Sequence, residues 1–166
     1  MKPIIVVSRC LGFDQCRYDG IMIDDELIEQ LKPLVEFRTV CPELAIGLGV
    51  PRDPIRIIKQ KNILKLVQPA TGRDVSDEMK AFTHGFLGSL KKIDGFILKS
   101  RSPSCGIRDV KIFSSMESKN LLIKGKGFFG GAICDYFPLL PIVDESQLTS
   151  PKIREKFLKV IQNTSR

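Results

Sequence analysis

Three short apolar runs lead into cysteines that stand in Gly- or Pro-marked turns, and this arrangement constrains the fold more than any other feature of the chain. Cys10 closes the run at 4–9 and precedes Leu11-Gly12. Cys41 closes the run at 34–40 and opens Pro42-Glu43. Cys105 lies in Ser102-Pro103-Ser104-Cys105-Gly106, just after the run at 95–99. Short β-branched runs of this kind suit buried strands, and in an open parallel sheet ligands bind beyond the carboxyl ends of the strands. Three thiolates delivered there from distant parts of the sequence converge on one point. Three soft sulfur ligands at one point suggest a metal centre, with an iron–sulfur cluster as the prime candidate.

The rest of the chain agrees with such a sheet. Residues 3–8 read as a buried strand and 24–33 as a helix, with acidic residues in its first turn and Leu27, Ile28 and Leu31 on one face. A strand at 35–40 follows, which makes a β-α-β unit and predicts a parallel pair. Residues 41–54 are a Gly- and Pro-rich, short helical or irregular segment. The runs at 55–58 and 63–67 around Gln60-Lys61-Asn62 predict a hairpin. A long helix is expected over 75–92, with Met79, Phe82, Phe86, Leu90 and Ile93 on one face. Strands are expected at 95–99, 110–113, 121–123 and 140–143, and a helix over 131–138. The closing helix, about 150–162, has Ser150 as cap and Pro151 in its first turn. The expected fold is α/β: a single-domain three-layer α/β/α sandwich with a mostly parallel central sheet, spanning 1–166. Only residues 163–166 carry a signal of disorder.

The 166 residues suffice for one core that buries about 70% of the unfolded surface. Hydrophobic residues make up 43% and charged ones 27%, an ordinary globular composition. No apolar run approaches the ~18 residues of a membrane span, and the first residues read as a strand instead of a signal peptide. Five cysteines without an export signal point to a reducing, cytoplasmic setting, where clustered cysteines serve metal binding or catalysis more often than disulfides. The net charge of +7 favours anionic partners such as nucleotides or RNA, against a plain solvated basic surface.

Taken together, Ser8-x-Cys10-Leu11-Gly12, Cys16-Arg17-Tyr18-Asp19-Gly20, Cys41-Pro42-Glu43, Pro51-Arg52 and Ile97-Leu98-Lys99-x-x-Ser102-Pro103-Ser104-Cys105-Gly106 resemble the TudS-like thiouracil desulfidases. The resemblance runs from about residue 3 to residue 145. Residues 125–129 and 139–155 also resemble longer, two-domain relatives, whose second domain is proposed to engage tRNA; this chain stops at Arg166. The resemblance implies a [4Fe–4S] cluster held by Cys10, Cys41 and Cys105, with a fourth iron that carries no protein ligand. It implies cleavage of a thiocarbonyl C–S bond by water, giving uracil or a uridine nucleotide and sulfide with no net redox change. The expected substrates are 2- or 4-thiouracil as base or nucleotide, with thiouridine in tRNA as the alternative.

The resemblance also marks Glu43 and Ser102 as catalytic, Glu43 as base on water and Ser102 as proton relay or hydrogen-bond partner of the ring. From the residues alone, Glu43 reads equally as a helix-start carboxylate and Ser102 as a turn residue before proline. Arg52, Lys99 and Ser104 are candidates for substrate binding, with ordinary surface charge as the other reading of the two cations. Cys16 is second to the cluster or structural, and Cys134 is a packed core thiol. His84, the single histidine, falls off the apolar face of its helix. Gly125-Lys126-Gly127 could wrap a phosphate or be a plain loop. Two further classes stay open: a non-catalytic zinc- or RNA-binding module, which lacks paired Cys-x-x-Cys knuckles, and a thiol-redox protein using Cys10 and Cys16.

Overall fold

The β-branched run near the N-terminus forms β1 (Ile4–Ser8) in the computed structural model, which describes residues 1–164. Its Ile5, Val6 and Val7 are fully buried, as a central parallel strand requires. Asp25 caps α1 (Glu26–Leu31), its carboxylate accepting from the N–H groups of Leu27 and Ile28 at 2.9 and 3.2 Å. The helix is shorter than 24–33 because Asp24 and Asp25 precede it and Pro33 has no N–H to continue it. β2 (Glu36–Val40) returns parallel to β1 with Ile4 opposite Glu36 and Ser8 opposite Val40.

α2 (Pro42–Ala45) follows Cys41 directly. The expected hairpin is β3 (Arg56–Gln60) and β4 (Ile63–Gln68), turned through Lys61 and Asn62, both with positive φ as a two-residue hairpin turn demands. After β5 (Arg73–Asp74), α3 (Ser76–Ser89) ends three residues before the expected limit; Leu90 is already extended and Lys92 has φ 51°. β6 (Gly95–Leu98), β7 (Val110–Phe113) and β8 (Leu121–Gly125) match the expected strands. α4 spans Phe128–Tyr136 and starts three residues before expectation. β9 (Ile142–Asp144) begins after Pro141, a short 3₁₀ turn covers Gln147–Thr149, and α5 spans Pro151–Thr164. Ser150 contributes its carbonyl to α5, accepting from the Arg154 N–H. Of the four terminal residues expected to lack order, Asn163 and Thr164 are helical, and Ser165 and Arg166 lie outside the described residues.

The strands make two sheets. The first is all parallel in the order β2-β1-β6-β9, and the second runs β5-β4-β3-β7-β8 and is antiparallel except where β3 meets β7. Residues of α1 and α5 pack on one face of the parallel sheet around Ile5, Val7 and Ile97, and those of α3 and α4 on the other around Val6, Phe96 and Leu98. This is the expected three-layer α/β/α arrangement. A third core lies under the second sheet, where Ile57, Leu66 and Ile112 meet Val75 and Met79. Among the described residues no helix is long and apolar enough to cross a membrane.

Asp144 closes β9 and is fully buried. Burial works against its charge, but bonds from Arg108 Nε (2.9 Å), Ser146 Oγ (2.5 Å) and the Gln147 N–H (2.8 Å) outweigh it and hold the carboxyl below its ordinary value. A depressed folded-state pKa adds stability above the unfolded value, and this is lost as pH falls through the folded one. Asp144→Asn is therefore expected to cost about 2 kcal/mol at pH 7 and to flatten the acid dependence of the thermal midpoint below about pH 4, measured by calorimetry from pH 7 to pH 3.

Candidate active site

The carboxyl ends of β1, β2 and β6 open into a cavity of about 340 Å³. β1 lies between β2 and β6, so the chain winds to either side of it, and this is where open α/β sheets place their ligands. Cys10, Cys41, Cys105, Glu43, Ser102, Arg52, Lys99 and Ser104 all line this one cavity, together with Cys16, Ser8 and Arg9. Cys134 lies elsewhere, partly buried beside the core under α4, and none of the five cysteines is in a disulfide. His84 is exposed, its Nδ1 2.7 Å from Tyr136 Oη.

Three of the thiols crowd one another, Cys16 interacting with both Cys10 and Cys41. Hydrogen bonding with Cys10, and then burial, raises the Cys16 thiol to about 11 despite an opposing contribution from Cys41. Cys41 is raised further, first by Cys16 and then by burial. Burial pushes Cys105 up to about 12, while Ser8 and Ser104 hydroxyls work in the other direction. Crowding and burial thus disfavour the bare thiolates of Cys16, Cys41 and Cys105, and a bound cation would favour them. Among the described residues, no three His, Cys, Asp or Glu side chains stand close enough to hold a single metal ion. Three separate segments each bring one soft sulfur (Cys10, Cys41 and Cys105) to the cavity, a donor chemistry suited to iron–sulfur ligation.

Beside the thiols runs a continuous polar chain. Glu43, in the first turn of α2, accepts from Arg52 Nε at 3.2 Å on one oxygen and from Ser104 Oγ at 2.9 Å on the other. Ser102 Oγ stands 3.0 Å from Ser104 Oγ and accepts from the Cys105 N–H at 3.0 Å. The Ser104 proton is committed to Glu43, so the Ser102 hydroxyl donates to Ser104, and the three groups form a proton path ending on the carboxylate. The Arg52 side chain is 3% exposed and also donates to the Gly49 carbonyl. The Lys99 ammonium gives its three donors to Glu145 Oε1 (2.5 Å) and to the Ser100 carbonyl and hydroxyl. Arg9 makes no side-chain hydrogen bond or ion pair among the described residues.

Sequence pattern alone does not mark Ser8 and Glu145 for chemistry. Ser8 Oγ accepts from the Lys99 N–H at 2.9 Å, and Glu145 binds the Ser100 N–H as well as Lys99. Both sit at carboxyl ends of parallel strands, so the rule that located the cysteines also reaches them.

The loop carrying Cys105 is held by the start of α4. The N–H groups of Gly127, Phe128, Phe129 and Gly130 donate to the carbonyls of Gly106, Pro103, Ser104 and Ser104. This is why α4 begins before residue 131, and it replaces the phosphate-wrapping reading of Gly125-Lys126-Gly127: those donors are already occupied by the protein. Contact this close admits no side chain. A Cβ on Gly127 would meet Ser104 O at 2.5 Å, and one on Gly130 would meet Gly106 O at 2.3 Å. Gly130→Ala is expected to cost about 1–3 kcal/mol and to reduce metal uptake, read from the denaturant midpoint and the iron content.

These features define an α/β protein with a thiol-lined cavity at the switch point of its parallel sheet. The 2-thiouracil desulfurase family model matches residues 5–145, and the chain belongs to that family. It is 36% identical over 110 residues to the uncharacterized protein YbbK of Bacillus subtilis, which covers 62% of this chain and 73% of that protein. It is similar to the solved structure of the [4Fe-4S]-dependent thiouracil desulfidase TudS, with a TM-score of 0.70 and 27% identity over 96% of this chain and all of that one.

Proposed function

We propose that this chain is a desulfidase that converts thiolated uracil, as base or nucleotide, into the oxo base and sulfide by hydrolysis. The observation that carries the reading is one cavity combining Cys10, Cys41 and Cys105 with the Glu43–Ser104–Ser102 path, in a chain of the 2-thiouracil desulfurase family. TudS is [4Fe-4S]-dependent, and the three cysteines would hold such a cluster here with one iron free of protein ligands. When bound, the cluster supplies a soft Lewis acid for a thiocarbonyl sulfur.

The remaining work falls to the chain's own groups. Glu43 takes a proton from water as its oxygen adds to the ring carbon; Arg52 and Ser104 fix the carboxylate and leave it lone pairs for that water. A C–O bond forms, the C–S bond breaks, and sulfur departs as sulfide. Both protons of water leave with the sulfur, as hydrogen sulfide or as hydrosulfide and a proton to solvent, so no oxidant or reductant enters. Ser102 steadies the ring or, through Ser104, returns the proton taken up by Glu43 to the departing sulfur. An anionic group on the substrate competes with Glu43 for Arg52 and with Glu145 for Lys99, whereas Arg9 on the cavity wall is free to meet it.

The test is anaerobic reconstitution followed by turnover of thiouracil in ¹⁸O-water. Iron and acid-labile sulfide near four each per chain, with one labelled oxygen in uracil and one sulfide per turnover without added reductant, is the expected result. No iron uptake, or an unlabelled product, would remove the mechanism. The same chemistry on thiouridine within RNA is a second reading, favoured by the charge distribution described next.

A further inference from the structure

The entire excess of positive charge lies in the second sheet and the loops that flank its strands. Residues 56–74 hold five basic and one acidic side chain, and residues 108–126 hold five basic and two acidic, a net +7. The other 128 residues, which include the parallel sheet, hold 16 of each sign. Seven lysines of the second sheet and its loops (Lys59, Lys61, Lys65, Lys111, Lys119, Lys124 and Lys126) have no ion pair among the described residues.

Register sorts the lysines. Ile57, Leu66 and Ile112 face the core, so the opposite face carries Arg56, Lys65, Lys111, Phe113 and Lys124; its Ile58 and Val67 are buried, and Lys111 and Lys124 are its exposed lysines. Arg56 lies over the Phe113 ring at 4.0 Å. Asp74, opposite Val67, is the acidic residue of this face. Lys111 and Lys124 are directly opposed across β7 and β8. Like charges so placed weaken a sheet, and guarding the edge strand β8 against aggregation needs only one of them. A partner that neutralises both removes the cost. The pair stands next to Val110 and Gly125, the ends of β7 and β8 nearest the cavity; Pro54 and Ile55, on the cavity wall, lead into β3. A four-residue strand spans about 13 Å, so a polyanion on this face reaches the cavity within a few nucleotides.

We infer that the outer face of the second sheet is a docking surface for RNA, with Lys65, Lys111 and Lys124 receiving phosphates while a base enters the cavity. RNA is favoured over an anionic membrane or acidic protein because the adjoining cavity takes a pyrimidine. The choice of RNA and the identity of that base rest on the desulfidase reading; the charge and register of the surface do not.

The test is fluorescence anisotropy of the full, iron-loaded chain with unmodified transfer RNA at 50 and 200 mM salt. Neutralising three or four phosphates predicts an affinity loss of roughly 20- to 100-fold between the two. Lys111→Glu and Lys124→Glu each turn a repulsive cross-strand pair into an attractive one, so the sheet keeps its fold while RNA affinity falls about tenfold. Lys152→Glu with Lys156→Glu, on exposed positions of α5, should leave binding unchanged, and phosphatidylserine vesicles should not bind. Absence of RNA binding at 50 mM salt, equal weakening by the α5 changes, or vesicle binding as tight as RNA binding would each overturn the inference. A chain that converts thiouracil but ignores RNA overturns the docking surface alone. One that binds RNA but converts no thiouracil overturns the desulfidase reading alone.

Discussion

Cys10→Ala, Cys41→Ala and Cys105→Ala are each expected to lower the iron of the reconstituted chain from near four per molecule to below one and to abolish sulfide release with it. The reason is distribution: the turns after β1 and β2 and the loop after β6 each contribute one sulfur, so no segment can replace another's. Cys16→Ser is the informative contrast. Its sulfur hydrogen-bonds with both Cys10 and Cys41, yet a fourth thiolate would close the iron that the substrate needs, so iron and turnover are expected to persist. Cys134→Ala should behave like the unaltered chain, since its thiol faces the α4 core. Iron, labile sulfide and sulfide release measured on the five variants decide the matter. Full iron in Cys105→Ala with none in Cys16→Ser would exchange the roles of those two residues.

Glu43→Gln should separate binding from chemistry. Glutamine keeps the shape: its oxygen can accept from Arg52 and its amide N–H can donate to Ser104 Oγ, so the cavity and its thiols are expected to survive. Loss of the base is expected to slow turnover by about 10²- to 10⁴-fold. Ser102→Ala, which removes one link of the proton path without removing the base, should cost less, on the order of tenfold. Turnover by Glu43→Gln within a factor of two of the unaltered chain would remove Glu43 from the role of base. The variant does leave the Arg52 guanidinium, 3% exposed, without its counter-charge, so a lower thermal midpoint accompanies the slow rate and is measured separately.

The parallel sheet and its cysteines were legible because local pattern sufficed. The β-branched residues of β1 announce a buried strand, and the turn after each strand places its cysteine. The second sheet was less legible. The hairpin of β3 and β4 follows from Lys61 and Asn62, but the pairing of β3 with β7 joins residues more than fifty positions apart and leaves no local mark. The start of α4 was misplaced for a related reason: Gly130 and Gly131 discourage a helix, and only the carbonyls of the Cys105 loop, remote in sequence, make one favourable from Phe128. Within the site, the types and approximate neighbours of Glu43, Ser102 and Ser104 could be named. That Ser104 stands between the other two, and that Lys99 is engaged by Glu145, depends on side-chain directions that the sequence leaves open.

The grip of α4 on the Cys105 loop bears on how the protein matures. Small metal-folded domains are disordered until their ion arrives, because nothing else orders their ligands. Here the backbone of Ser102-Pro103-Ser104-Cys105-Gly106 is tied down by amide donors of the chain itself, so the receptor exists before its cargo. Under the proposed function, assembly of the centre would then be uncoupled from folding, and a molecule stripped by oxygen or a chelator is expected to stay folded and to be refilled without passing through the unfolded state.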